Sequence, residues 1–202
     1  MKKESINLLI AIAVLAALLW ALSVGARAAE PEPDYMATMI ATATVGDADC
    51  GHQAEELRNA KIAAQGLSNV VVSWDELYLL AKIIYAEAGS YWLSDEWKMC
   101  VGEVVLNRVA SPEFPNTMQE VIYQPGQYYG RQSRYFENLR PDARAVLAAK
   151  RLLEGERVLN DPSVVFQANS KQGSGTHTAL YDKRLGWTYF CYSSHPELYG
   201  EG

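Results

Sequence analysis

Glu87 is the residue of this 202-residue chain whose setting most suggests chemistry. It stands in the string Tyr85-Ala86-Glu87-Ala88-Gly89-Ser90, followed by Tyr91 and Trp92. An acid among flat aromatic rings suits a sugar. The rings offer surfaces to the apolar faces of pyranoses, and the acid can protonate a glycosidic oxygen. Such a donor must hold its proton near neutrality, which requires burial or nearby negative charge. The spacing points to both. At about 100° per residue from Leu77, Leu80 falls at about 300°, Ile83 at about 240° and Ile84 at about 340°. Glu87 falls at about 280°, inside the same apolar stripe. It also lies in the last turn, at the negative end of the helix dipole, which disfavours the carboxylate further.

The elements that must position Glu87 are legible around it. Ser73 and Glu76 form a capping-box pattern, so a helix is expected over 74–87, closed by Gly89. Ser94 opens a second helix running to Val109, whose stripe is Trp97, Cys100, Val101, Val104 and Val105. Thr117 and Glu120 cap a short third helix ending at Tyr123. Residues 124–140 read as a loop rich in Gly, Gln, Tyr and Arg, and a helix follows between Pro141 and Gly155. Residues 164–166 and 187–192 read as strands separated by a Gly/Ser/Thr loop. Helices first and strands last predict an α+β domain, a helical N-terminal half with a small C-terminal β-sheet, spanning 73–202.

The chain before this domain reads differently. Lys2 and Lys3 precede an unbroken apolar run over 8–22, then Ala26-Arg27-Ala28. A basic start, an apolar middle and a small-x-small site make 1–28 a secretory signal peptide, or an uncleaved membrane anchor. Either way the rest is expected outside the cytoplasm, secreted or anchored on the outer side of the membrane. Residues 29–72 read as a partly disordered linker, acidic and extended at Glu30-Pro31-Glu32-Pro33-Asp34, with one weak helix over 54–65. The net charge is −6, and more negative without the first 28 residues, which carry Lys2, Lys3 and Arg27 against Glu4. An acidic domain excludes nucleic acid as partner, because phosphates need a basic face.

Several motifs occur in the order of a known family. YAEAGS at 85–90 resembles the Glu-Ala motif of the SleB-type cell wall hydrolases, the family of spore cortex-lytic enzymes. VVLNRV at 104–109, Ser111-Pro112-Glu113-Phe114-Pro115, VIYQPGQY at 121–128 and YFCY at 189–192 are similar to the pieces that follow. The resemblance implies a lysozyme-like fold acting on peptidoglycan glycan strands, with Glu87 as catalytic acid. It also implies lytic transglycosylase chemistry between N-acetylmuramic acid and N-acetylglucosamine. The family pattern continues after Glu-Ala with Arg-Gly-Glu, where this chain has Gly89-Ser90-Tyr91.

Around Glu87, Tyr85, Tyr91, Trp92, Tyr123, Gln124, Gln127 and Tyr128 are the substrate-binding candidates, supplying flat faces and amides. Asn107 and Arg108 fall on or beside the buried stripe of the second helix and read as structural support. A hydrolase would need a second carboxylate. Glu96 is explained by its helix N-terminus, Glu103 points off the stripe toward solvent, and Glu113 sits in a loop. Other chemistries fare worse. Cys100 lies mid-helix on the apolar side, which suits packing or a disulfide with Cys191 better than a nucleophile. His52, His177 and His195 are dispersed, so neither metal nor cofactor is expected. A noncatalytic peptidoglycan-binding protein is the rival from another class, and the acid at 87 argues against it.

Overall fold

The computed structural model describes residues 33–65, 72–128 and 134–200. The expected leader or anchor at 1–28 lies outside them. Among the described residues no helix is long and apolar enough to cross a membrane.

The expected helices form where caps and periodicity place them, and they make an α+β fold. The core is built by α3 (Trp74–Ala88), α4 (Asp95–Ala110) and α7 (Ala143–Leu153), with α5 (Met118–Tyr123) and the single-turn α6 (Arg134–Glu137) beside them. Leu77, Leu80, Ile83 and Ile84 of α3 are fully buried, with Val104 and Val105 of α4 and Val146 and Leu152 of α7. Ser94 Oγ accepts from Trp97 N at 3.1 Å, and Thr117 Oγ1 accepts from Glu120 N at 3.2 Å. Asp142, just after Pro141, accepts from Ala145 N at 2.8 Å to open α7. These caps satisfy amides that have no partner within their own helices.

Residues 35–64 correct the linker reading. They form α1 (Tyr35–Val45) and α2 (Ala48–Ala64), part of the compact unit that begins at Tyr35. α1 is rich in Ala and Thr and α2 in Ala and polar residues, and neither carries a broad apolar stripe, so periodicity missed α1 and shortened α2. Their stability comes from contacts made elsewhere. Met39 and Ala43 are fully buried. Trp74 donates from Nε1 to Thr42 Oγ1 at 3.0 Å and stacks on Tyr78 at 4.9 Å. The missing side chain of Gly51 makes room for that indole, since a Cβ there would come within 2.1 Å of Trp74 Nε1. Glu55 of α2 accepts from Trp74 N at 2.9 Å, while Ser73 makes no side-chain cap. The expected capping box is therefore replaced by a carboxylate from another helix, which also favours the positive end of α3.

The sheet contains β1 (Val164–Ala168), β2 (Thr176–Asp182) and β3 (Gly186–Tyr192), antiparallel in the order β1-β3-β2. β2 lies within the segment expected to be loop. All but one of its seven residues are half-buried, so it lacks the alternation that reveals a strand with one buried face. Its pairing with β3, Tyr181 opposite Trp187 and Thr178 opposite Phe190, makes it a strand. Asn107 Nδ2 of α4 donates to Asp161 O at 2.9 Å and Val164 O at 3.0 Å, and Arg108 Nε to Val165 O at 2.6 Å. These two side chains dock the sheet onto the helices.

Candidate active site

Glu87 stands one residue from the end of α3, half-buried, on the margin of the buried face. It borders an open pocket of about 140 Å³ whose other walls are Trp97 and Val101 of α4, Gln167 and Ala168 of β1, Asn169, and Thr188 of β3. The helical half thus supplies the acid and an apolar wall, and the sheet supplies amides and a hydroxyl.

Two groups hold the end of α3 in place. Lys98 of α4 is fully buried and donates from Nζ to Ala88 O and, at 3.4 Å, to Ser90 O. Burial pulls the Lys98 pKa below the usual lysine value; Asp142 opposes this and Arg144 adds to it. The ammonium satisfies carbonyls left over at the helix end and offsets their partial negative charge. The dipole expected to act on Glu87 is therefore largely answered by Lys98. Arg144 of α7 grips the following turn, donating to Asp95 Oδ1, Tyr91 O and Leu93 O, each at 2.8 Å. Gly89 ends α3 by close approach rather than by a left-handed turn. Its φ is −71°, and a Cβ there would meet Tyr85 O at 2.2 Å.

The aromatic candidates divide by location. Tyr85 is half-buried against the core. Tyr91 is 75% exposed and Trp92 40%, edge to face at 5.0 Å, and Arg184 of the β2–β3 turn lies 4.3 Å over the Trp92 ring. Tyr123 is exposed and packs edge-on to Phe136 at 6.2 Å. Gln127 is exposed, and Gln124 is half-buried with its Oε1 occluded. Tyr128 differs from expectation: it is 2% exposed, with the Arg108 guanidinium 5.0 Å over its ring, so it offers no open sugar-stacking face. Burial pushes its hydroxyl pKa up; Arg108 draws it down, and Glu87 pushes it further up. None of these candidates lines the Glu87 pocket. The wall residues Gln167, Asn169 and Thr188 were not foreseen, because nothing local marks a residue that only tertiary packing brings beside an acid.

The other carboxylates are placed away from the pocket. Glu103, expected in solvent, is 1% exposed and accepts from Val158 N at 2.6 Å, Leu159 N at 2.9 Å and Asn160 N at 3.0 Å. The turn after α7 covers it and supplies the donors a buried carboxylate needs. Glu113 accepts from Tyr199 Oη at 2.6 Å and from Ser193 Oγ. Glu96 is exposed in the first turn of α4. All three cysteines are free, so the alternative of a Cys100–Cys191 disulfide is not realised. Burial pushes the Cys100 thiol up to about 12, which removes it as a nucleophile. Among the described residues no group of three or more His, Cys, Asp or Glu side chains could hold a metal ion.

With that geometry in view, residues 94–191 match the model of the family described as cell wall hydrolase. The matched span begins after Glu87, so the acid stands on the motif and the geometry given above. The catalytic domain of the Bacillus cereus SleB protein is similar at 25% identity, over 59% of this chain and 91% of its own, with a TM-score of 0.46. No curated protein matches the chain. Residues 94–191 are therefore a match to the cell wall hydrolase family, and the motifs resemble its SleB type.

Proposed function

We propose that this protein is a lytic transglycosylase that cleaves the bond between N-acetylmuramic acid and N-acetylglucosamine in peptidoglycan, with Glu87 as its single acid and base. The observation that carries the reading is that Glu87 is the one carboxylate among the residues described around its pocket. The lysozyme-like architecture implied by the motifs and an extracytoplasmic location belong to the same reading.

Protonated Glu87 donates to the glycosidic oxygen as the bond from C1 breaks, and the leaving sugar departs as an alcohol. Positive charge develops at C1 of the muramic ring. The Glu87 carboxylate then takes the proton from the C6 hydroxyl of that sugar, and O6 closes on C1 as a 1,6-anhydro ring. The acid is regenerated and no water is consumed. A hydrolase would position water with a second carboxylate, commonly about 6.5–9.5 Å away in inverting enzymes, or use a second as nucleophile about 5–5.5 Å away. Glu96, Glu103 and Glu113 all have other settings, which supports the intramolecular nucleophile. Trp97 and Val101 give the acid an apolar wall, while Gln167, Asn169 and Thr188 offer hydrogen bonds to acetamido and hydroxyl groups.

Digestion of purified peptidoglycan, followed by mass spectrometry of the sugar termini, tests the proposal. Anhydro-muramic ends are expected. Reducing ends would make the enzyme a hydrolase, free stem peptides would overturn glycosidase action, and binding without any release would make the protein a wall binder.

A further inference from the structure

Two walls of the Glu87 pocket meet again at the surface. Trp92 follows Glu87 by five residues, within about 17 Å of chain from the acid. Arg184 precedes the pocket wall Thr188 by four residues, within about 14 Å of chain. The Arg184 guanidinium carbon stands 4.3 Å from the centroid of the Trp92 ring. The way from pocket to ring lies on the pocket face of β3. Alternate residues of a strand share a face, so Gly186 lies on the side of Thr188, nearer the hairpin tip. Gly186 has no side chain, and a Cβ there would meet nothing within 4 Å. The pocket is therefore open past Gly186 toward the tip, where Arg184 covers Trp92.

The two partners of that contact differ in freedom. Trp92 is held, because Arg144 donates to the carbonyls on either side of it, Tyr91 O and Leu93 O, each at 2.8 Å. The backbone under Arg184 is held too, since Asp182 Oδ1 accepts from Arg184 N at 2.8 Å and Leu185 N at 3.2 Å. The Arg184 side chain is exposed and makes no hydrogen bond or ion pair among the described residues. Arg108 shows the contrast. It also lies over rings, those of Phe114 and Tyr128, but it is buried and its Nε donates to Val165 O at 2.6 Å. An exposed cation held by a ring face alone is weakly bound and leaves readily. From this we infer that Trp92 is a sugar-stacking surface next to the Glu87 pocket and that Arg184 masks it. A glycan long enough to run past Gly186 displaces the guanidinium and takes its place on the ring. The inference rests on the peptidoglycan reading above and adds a specificity to it, a preference set by glycan length. A guanidinium and the apolar face of a pyranose use the same surface of an indole, so one excludes the other. The ring is already fixed by Arg144, so a sugar need not order it on arrival.

The test measures kcat and KM of the full chain on two soluble peptidoglycan glycans, a tetrasaccharide and an octasaccharide. Arg184→Ala should lower KM for the octasaccharide about threefold, the strength of an exposed cation–ring contact. Arg184→Lys keeps a cation over the ring and should match the parent. Trp92→Ala should act in the opposite direction and raise the octasaccharide KM on the order of tenfold. On the tetrasaccharide all three variants should match the parent, and kcat should hold on both glycans. Thermal melts verify the fold of each variant. An octasaccharide KM that stays the same or rises in Arg184→Ala would overturn the inference, a rise making Arg184 a direct sugar contact. Equal changes on both glycans would also overturn it, giving the pair a structural role. An unchanged octasaccharide KM in Trp92→Ala would remove the stacking surface itself. Each of these outcomes leaves the Glu87 reading standing. If the parent cuts neither glycan, the peptidoglycan reading fails and the inference falls with it.

Discussion

Glu87 and Glu103 lie on helices that pack against each other, and both sit among apolar neighbours, yet their settings differ. Glu103 is enclosed, and three backbone N–H groups of the turn after α7 converge on it. Glu87 lies at a helix end beside an open pocket, with the neighbouring carbonyls satisfied from behind by Lys98. Burial alone therefore does not mark a catalytic acid. What separates the two is that Glu103 is closed in by donors of the fold's own backbone, whereas Glu87 borders a space that substrate can enter.

Substitutions at the two positions should have opposite signatures. The largest effect is expected for Glu87→Gln, which should cut glycan release by about 10²–10⁴-fold, the contribution of a positioned general acid. Its melting temperature should stay within about 2 °C of the parent. Glu103→Ala should do the reverse. Leaving buried donors without an acceptor costs about 3 kcal/mol. In a unit of this size that lowers the melting temperature by roughly 6–12 °C, while activity per folded molecule persists at low temperature. Calorimetry and turnover measured together would break the comparison if either signature appeared at the other residue.

Lys98→Met sharpens the contrast, because Lys98 acts on Glu87 only through the end of α3. Turnover should fall about tenfold as the acid loses its fixed position, an effect well below that of Glu87→Gln. Lys98 also has a pH signature. Its folded pKa is lowered, so as pH rises toward the free-lysine value of 10.5 the unfolded chain keeps a proton that the folded chain releases. Stability then gains with pH over that window. Burial lowers the pKa of Lys82 in the same direction, so Lys98→Met should remove part of the gain in alkaline melts rather than all of it.

The smallest effect is expected at the other end of α3, where the His52 Nε2–Asp75 Oδ1 contact of 3.0 Å joins α2 to α3 at the surface. Asp75 raises the His52 pKa above its ordinary 6.5, by hydrogen bonding first and by charge as well. The contact therefore stabilises fully below the unfolded pKa and fades as pH rises through the folded one. Solvent screening keeps this contribution small. Titration of the His52 ring resonances should show a lower midpoint in Asp75→Asn.

The sequence by itself determined what lies within one or two helical turns. Spacing put Glu87 beside the buried face of α3, and Ser94 and Thr117 announced the helices they cap. Asn107 and Arg108 were placed on or beside the apolar stripe by helical spacing, although α4 proves buried on nearly every side. Tertiary structure decided the rest. It packed the Ala-rich α1 and α2 onto Trp74, made a strand of 176–182 by pairing it with β3, and covered Glu103 with the turn after α7. It also brought Gln167 and Thr188 from two strands, and Asn169 from just past the first, to Glu87 some 80 to 100 positions away along the chain. The physical reason is one of range. Periodicity, caps and dipoles act between near neighbours in sequence, whereas the donors that satisfy a buried charge and the walls that make a pocket come from whichever distant segment the core draws against it.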